Sequence, residues 1–249
     1  MMGTMTEVIA AAGLAAGAGG FATYAVRGRS SGLFAPSAYH GDRSDRTLAL
    51  TFDDGPSEST PALLELLSEY GIRATFFMCG RNVRRLPAVA REVRDAGHEI
   101  GNHSDTHPLL ALKSPEFIYR ELALAQESIH LNTGATPQYF RAPYGVRWFG
   151  LRRAQRRLGL TGVMWTVIGN DWKWPAGRIA RRMTAGARNG GILCLHDGRT
   201  TKAAPDVRPT LDAVEFAIPM LIDRGFQFQT VKEMLCPKPE QTRVAPRVW

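Results

Sequence analysis

The sequence predicts an α/β fold: a (β/α) barrel of about seven parallel strands in a single domain. Short apolar runs rich in β-branched and aromatic residues alternate about seven times with longer helical segments between Thr47 and Val231. Glycines that stop helices (Gly71, Gly97, Gly159) and prolines that open them (Pro61, Pro115) punctuate that alternation. A chain of 249 residues suits one such domain. A doubly wound open sheet is the alternative with the same pattern.

Residues 1–29 contain an uncharged run from Val8 to Val26, just long enough to cross a bilayer as a helix. It reads as a membrane anchor or a signal-like segment. Ala and Gly dominate it, Glu7 precedes it, and Arg27 and Arg29 follow, which by the positive-inside rule would keep the following domain cytoplasmic. Residues 30–46 mix Gly, Ser, Pro and charge without period and read as a linker.

The catalytic domain is expected over 47–235. Thr47–Phe52 (TLALTF) reads as a buried strand, followed by a helix over Pro61–Tyr70 with Ser59 or Thr60 as its cap. Arg73–Met78 is the second strand, Leu86–Ala96 a helix, and His98–Asn102 the third strand. Ser114-Pro115-Glu116 opens a helix that runs to about Leu131, before a fourth strand at Tyr139–Ala142. A basic helix from about Phe149 to Leu158 leads to a fifth strand, Thr161–Val167. The helix Ala176–Ala187, the strand Gly191–His196, a last helix Pro209–Arg224 kinked at Pro219, and the strand Phe226–Val231 complete the series. The Pro- and Arg-containing tail, 236–249, is assigned no structure.

With 44% hydrophobic and 22% charged residues, the composition excludes a disordered chain. Lys and Arg exceed Asp and Glu by 31 to 23, much of it as Arg152, Arg153, Arg156 and Arg157 and then Arg178, Arg181 and Arg182. These read as solvated helix faces. The sharper alternative is attraction to something acidic, such as an anionic glycan, a phospholipid headgroup or nucleic acid. No nucleic-acid motif is present, and no nucleic-acid partner is expected. Cys79, Cys194 and Cys236 are odd in number and lack CxxC spacing, so the first two read as buried free thiols.

In such barrels the chemistry sits where strands end on their C-terminal side. Asp53 and Asp54 follow the first strand; alone, a turn and a metal site explain them equally well. His103 and His107 (HSDTH) follow the third, at a spacing that lets two imidazoles converge on one ion in a helix or tight turn. Asp54 would complete a two-histidine, one-carboxylate site; Asp105 is a rival ligand. RAPYG follows the fourth strand, and its Arg141 needs an anion, for which Asp53 is the candidate. NDWKW follows the fifth, with Asp171, Trp172 and Trp174, and LCLHD ends the sixth, with His196 placed to donate a proton.

In order and spacing, TFDDGP, HSDTH, RAPYG, DW and LHD resemble the motifs of the polysaccharide deacetylase family (the chitooligosaccharide deacetylase homology domain, carbohydrate esterase family four), over about Thr47 to Val231. The resemblance implies an irregular barrel and the removal of N-linked acetyl groups from N-acetylglucosamine-containing glycans, peptidoglycan or chitooligosaccharide. It implies that Asp54, His103 and His107 bind a divalent metal, typically zinc, with cobalt, nickel or manganese as alternatives. Asp53 would be the general base, Arg141 would hold it, and the Tyr144 backbone N–H would stabilise the oxyanion. His196 would be the general acid, tuned by Asp171. Trp172 and Leu195, with Tyr144, would shape the wall and the acyl pocket. One departure stands out: many members carry an Asp where this chain has Ile168.

A glycan substrate suits an anchored or exported enzyme of the cell envelope. A deacylase of a lipid-linked amino sugar or small amide is the second reading, and it calls for a site mouth near Val26. A non-catalytic sugar-binding module is the third, and it calls for loss of Asp53 or His196, both of which are present.

Overall fold

The computed structural model describes residues 19–236. Residues 19–27 are helical (α1). The strands are β1 (Ser37–Ala38), β2 (Thr47–Asp53), β3 (Thr75–Met78), β4 (Glu99–Asn102), β5 (Tyr139–Phe140), β6 (Thr161–Val163), β7 (Val167–Ile168), β8 (Gly191–His196) and β9 (Gln227–Gln229). They form one sheet in the order β1-β6-β5-β4-β3-β2-β8-β7, with β9 on β2, and every ladder is parallel. The order begins beside β6 and ends at β7, and only residues 164–166 separate those two strands in the chain. The sheet therefore curls into an irregular barrel whose seam is crossed by covalent chain.

The single expected strand Thr161–Val167 is thus two short ones: β6 serves β5, and β7 serves β8. The segment 30–46 is not a free linker. Its β1 pairs with β6, and His40 bridges Gly191 at the start of β8. Buried Arg147 donates to the carbonyl oxygens of Ser31 and Gly28, which ties this segment to the barrel. Residues 1–18 and 237–249, which hold most of the apolar run and nearly all of the tail, lie outside the described residues. Among the described residues no helix is long and apolar enough to cross a membrane.

The helices are α2 (Thr60–Glu69), α3 (Gly80–Arg85), α4 (Pro87–Asp95), α5 (Pro115–Thr133), α6 (Leu151–Leu158), α7 (Ala176–Gly186), α8 (Arg208–Asp223) and α9 (Val231–Leu235). Ser114 caps α5 as expected, accepting from the Phe117 N–H. Pro219 lies inside the unbroken α8. Two helices were not anticipated, α3 and α9; α9 opens with a full capping box, Thr230 with Glu233.

Strand alternation sorts the side chains into two layers. Leu48, Leu50 and Phe52 of β2, Phe76 and Met78 of β3, and Leu193 and Leu195 of β8 join the outer core with Leu63, Leu67, Val214 and Ile218 of α2 and α8. Ala49, Phe77 and Ile192 face the interior with Tyr139 and Val163, and Val231 and Met234 of α9 pack onto this inner cluster. The inner positions continue upward as Thr51 and Asp53 on β2 and as Cys194 and His196 on β8. One alternation thus builds an apolar core outside and a polar mouth inside.

Candidate active site

Asp53 ends β2, buried and facing inward. Its Oδ1 accepts from Arg141 Nη1 at 2.7 Å, and its Oδ2 faces the Cys194 thiol at 3.4 Å. Arg141 is fully buried. The same Nη1 reaches Thr51 Oγ1 at 2.7 Å, and the guanidinium lies 4.2 Å from the Phe77 ring centroid. A buried guanidinium without its carboxylate would be strongly unfavourable, so each fixes the other.

Asp54 turns the chain with φ 73° and so diverges from Asp53. Its Oδ2 accepts from the Thr200 N–H at 2.7 Å. Asn82 Nδ2 donates to the Asp54 carbonyl at 2.7 Å and to the Thr200 carbonyl at 2.9 Å, clamping both loops. The other oxygen, Oδ1, is buried and lies 3.3 Å from His103 Nε2 and 3.0 Å from His107 Nε2. Burial alone would raise this carboxyl, but the two imidazoles hold it well below the ordinary carboxylate value.

The HSDTH segment is a tight turn, with Ser104 at φ 64° and His107 at φ 59°. Buried Glu121 holds it from α5, accepting from the N–H groups of Asp105 and Thr106 at 3.1 and 2.9 Å. Asp105 itself is engaged by Arg84 through two bonds of 2.6 and 2.9 Å, and it is absent from the convergent cluster. The rival-ligand reading of Asp105 is therefore corrected: its carboxylate is committed to a structural pair.

His103 Nδ1 lies 2.8 Å from the Arg141 carbonyl, which can only accept. Nδ1 therefore carries a proton, which in a neutral ring leaves Nε2, facing an Asp54 oxygen, able to offer a lone pair to an ion. Asp54 Oδ1 and the Nε2 atoms of His103 and His107 thus surround a point that calls for positive charge, a proton or a cation. Asp54, His103 and His107 each offer one atom within 4.8 Å of the others. Ligands of a tetrahedral ion with bonds of about 2.0–2.1 Å stand about 3.3 Å apart, and an N₂O donor set suits zinc. These residues fit a divalent ion.

His196 ends β8, opposite Asp53 in register. Its Nδ1 lies 2.8 Å from Asp171 Oδ1, and its N–H donates to Asp171 Oδ2 at 2.9 Å. Thr210 Oγ1 also donates to that oxygen at 2.7 Å. Burial would lower the imidazole, but the Asp171 charge and hydrogen bond push it up to about 9, so it is cationic at neutral pH. Burial likewise raises Asp171, yet the His196 charge leaves it lowered. One ring nitrogen of His196 and one oxygen of Asp53 lie within 4.8 Å of each other.

Trp172, half exposed, presents its ring edge-on to His196 at 5.2 Å. Tyr144, also half exposed, meets the His107 ring at 4.6 Å. Its backbone has φ 57°, the next two N–H groups bond back to Ala142 and Pro143, and no carbonyl among the described residues accepts from the Tyr144 N–H. Leu195 does not join this group. It faces the outer core, in the same cluster as Ile179, because alternation on β8 turns Cys194 and His196 inward and Leu195 outward. Ile168 pairs with Cys194 on β7, and Asp171 engages His196 without an acid at that position.

Sequence reasoning missed Asn82, Glu121, Arg84, Thr200, Thr210 and Cys194 as site supports. It also passed over Asp197, whose carboxyl burial pushes up to about 7 while Thr60 Oγ1 donates to it at 2.6 Å. The signal for Cys194 was present: it stands two positions before His196, on the same strand face. The others act across 15 to 146 residues of chain and leave no local pattern.

The family model for polysaccharide deacetylases matches residues 40–163. A chitooligosaccharide deacetylase of Bradyrhizobium sp. (strain ANU 289) is 35% identical over 212 residues, 81% of this chain and 97% of the relative. The peptidoglycan-N-acetylglucosamine deacetylase PgdA of Listeria monocytogenes is 32% identical over 194 residues, 77% of this chain, and the match spans only 39% of that longer protein. Among solved structures, a peptidoglycan N-acetylglucosamine deacetylase superposes with a TM-score of 0.75 at 29% identity, over 80% of this chain and 92% of that one. A CE4 family pseudoenzyme from Bacillus anthracis superposes with a TM-score of 0.72 at 26% identity, over 79% and 67%.

Proposed function

This chain belongs to the polysaccharide deacetylase family, and from that premise and the geometry of its mouth we propose that it hydrolyses the carbon–nitrogen bond of N-acetyl groups on N-acetylglucosamine-containing glycans, peptidoglycan or chitooligosaccharide. The observation that carries the reading is the pairing of Asp53, held by Arg141, with a cationic His196, held by Asp171, beside the lone-pair cluster of Asp54, His103 and His107. A binding module would have no need to keep a base and an acid so close.

The reading includes a divalent ion at Asp54, His103 and His107, zinc by donor set with cobalt, nickel or manganese as alternatives; when bound, it supplies positive charge that polarises the acyl carbonyl and acidifies water. Asp53 takes the proton of the attacking water at Oδ2, the oxygen that Arg141 leaves free. Charge developing on the carbonyl oxygen is met by the Tyr144 N–H, whose left-handed backbone leaves it without an internal acceptor; such a donor contributes about 3 kcal/mol in comparable sites. His196 delivers its proton to the departing amine nitrogen, and Asp171 keeps that proton available at neutral pH. The rings of Trp172 and Tyr144 flank the mouth and offer faces to sugar.

The test is acetate release from N-acetylglucosamine oligomers and from peptidoglycan, before and after chelation and re-addition of zinc or cobalt. Ion-dependent release that Asp53→Asn abolishes is the expected result. No release from either polymer by protein that holds its ion would refute the glycan reading.

One observation favours the second reading, a lipid-linked amino sugar. The Arg147 N–H donates to the Val26 carbonyl at 3.0 Å, which seats the end of α1 three residues beyond Tyr144 at the mouth. If the uncharged run 8–26 anchors the protein in the cell envelope, the mouth lies close to the membrane. Release of acetate from a lipid-linked N-acetyl sugar, but not from soluble oligomers, would select this reading.

A further inference from the structure

The flank and base of the barrel carry charge that the deacetylase reading does not use. A cavity of 980 Å³ is lined by Arg29, Arg43, Arg46, Arg188 and Arg224, with Asp223 as its one carboxylate. A neighbouring cavity of 810 Å³ shares Thr166 and Gly186 with it and is lined by Arg178, Arg181 and Arg182 of α7 without any acid. Together they form one groove. It begins at Trp174, two residues from the mouth's Trp172, and descends along α7 to the N-terminal ends of β2, β8 and β9.

Among the described residues none of these eight arginines pairs with a carboxylate within 4.0 Å. Several are nevertheless held in place. Arg46 donates to the Arg224 carbonyl at 2.6 Å, Arg29 to Thr166 at 2.8 Å, and Arg182 to Ile168 at 2.6 Å. Arg188 donates to Ala185 and Ala187, both at 2.8 Å. Arg178 stacks on Trp174 at 3.9 Å. Each guanidinium has five N–H donors, so these contacts orient the fork and leave most of it free.

We propose that this groove is a binding site for a linear polyanion of the polyphosphate class. Repeated guanidinium forks along a continuous concave track match repeated phosphates, and planar bidentate donation is what arginine offers phosphate. A flat anionic bilayer fits less well. The groove is concave, and its large apolar side chains, Trp174 and Phe226, each lie beneath an arginine and not free to insert. The exposed Phe21, Leu33 and Phe149 do not line it.

The experiment titrates the full chain with fluorescently labelled inorganic polyphosphate at several salt concentrations and, separately, with phosphatidylglycerol vesicles. Arg178→Gln/Arg181→Gln and Arg46→Gln/Arg188→Gln are each expected to weaken polyphosphate binding tenfold or more and to flatten its salt dependence. The charge-matched control Arg153→Gln/Arg156→Gln on α6 is expected to leave both unchanged. All three variants should release acetate from a short substrate at the parental rate, so loss of the groove and loss of the deacetylase are told apart. Equal weakening by the control, no polyphosphate binding, or binding to vesicles alone would each overturn the proposal.

Discussion

Replacing Asp171 with Asn removes the charge that holds the proton on His196 while keeping an oxygen for its Nδ1–H. In the wild-type protein His196 is raised from 6.5 to about 9 although burial opposes the charge. At about 1.36 kcal/mol per pH unit, that difference corresponds to about 3 kcal/mol. Without the Asp171 charge, burial pulls the imidazole down from about 9 towards its ordinary value of 6.5, with Asp54 and Asp53 still opposing it. A group titrating at about 9 is roughly 97% protonated at pH 7.5, and one at 6.5 roughly 9%. Asp171→Asn should therefore lose up to about tenfold in acetate release at pH 7.5 from protonation alone, and recover part of it towards pH 6. A cation at Asp54 would lower both values and keep their order. Stability follows the same sign. The native state keeps a proton that the unfolded chain has lost, so this contribution is complete below 6.5 and disappears as pH rises through about 9. The assay is ¹⁵N NMR titration of His196 in the chelated protein, with urea unfolding at pH 6 and pH 9.5. A variant imidazole that still titrates near 9 would refute the reasoning.

Arg141→Met should destabilise the fold by about 3–5 kcal/mol, because Asp53 is left charged and buried; urea midpoints measure this, and Asp53→Asn in the same chain should restore part of the loss. Asp54→Asn should abolish stoichiometric zinc binding, whereas Asp105→Asn should retain it and lower only the melting temperature, both read by calorimetry after dialysis. Gly55→Ala places a methyl group onto the Asp197 carboxylate and should cost about 1–3 kcal/mol in unfolding free energy. Chelation should leave far-UV circular dichroism unchanged and remove acetate release, which zinc or cobalt restores.

The barrel was legible wherever one strand carried a clean pattern. TLALTFD is buried at every position because parallel strands are covered on both faces, and its continuous apolar run announced that. The site residues at strand ends were legible for the same reason, since a strand that stops being apolar at Asp53 or His196 marks the mouth. The acyl-pocket assignment of Leu195 failed because the motif was read without its alternation, which puts Cys194 inside. The break at 164–166 was hidden because both halves are apolar; only the change of partner from β5 to β8 reveals it. The helix α9 was announced by Thr230 and Glu233 at capping-box spacing, a signal submerged by the adjacent strand. Thr200, Asn82 and Glu121 could not be found locally, because each acts on a backbone group far away in the chain.

Asp53 and Asp54 are consecutive, and their divergence is produced by one left-handed turn at Asp54. The two carboxylates are therefore carried on Cα atoms one trans peptide, about 3.8 Å, apart, a distance that thermal breathing of the sheet cannot change. His196 belongs to a different strand and meets Asp53 only through the six-residue ladder of β2 with β8. Loosening that ladder separates His196 from Asp53 while leaving Asp53 and Asp54 together. As the protein warms towards unfolding, protonation of the leaving amine should fail before the binding of an ion at Asp54 does.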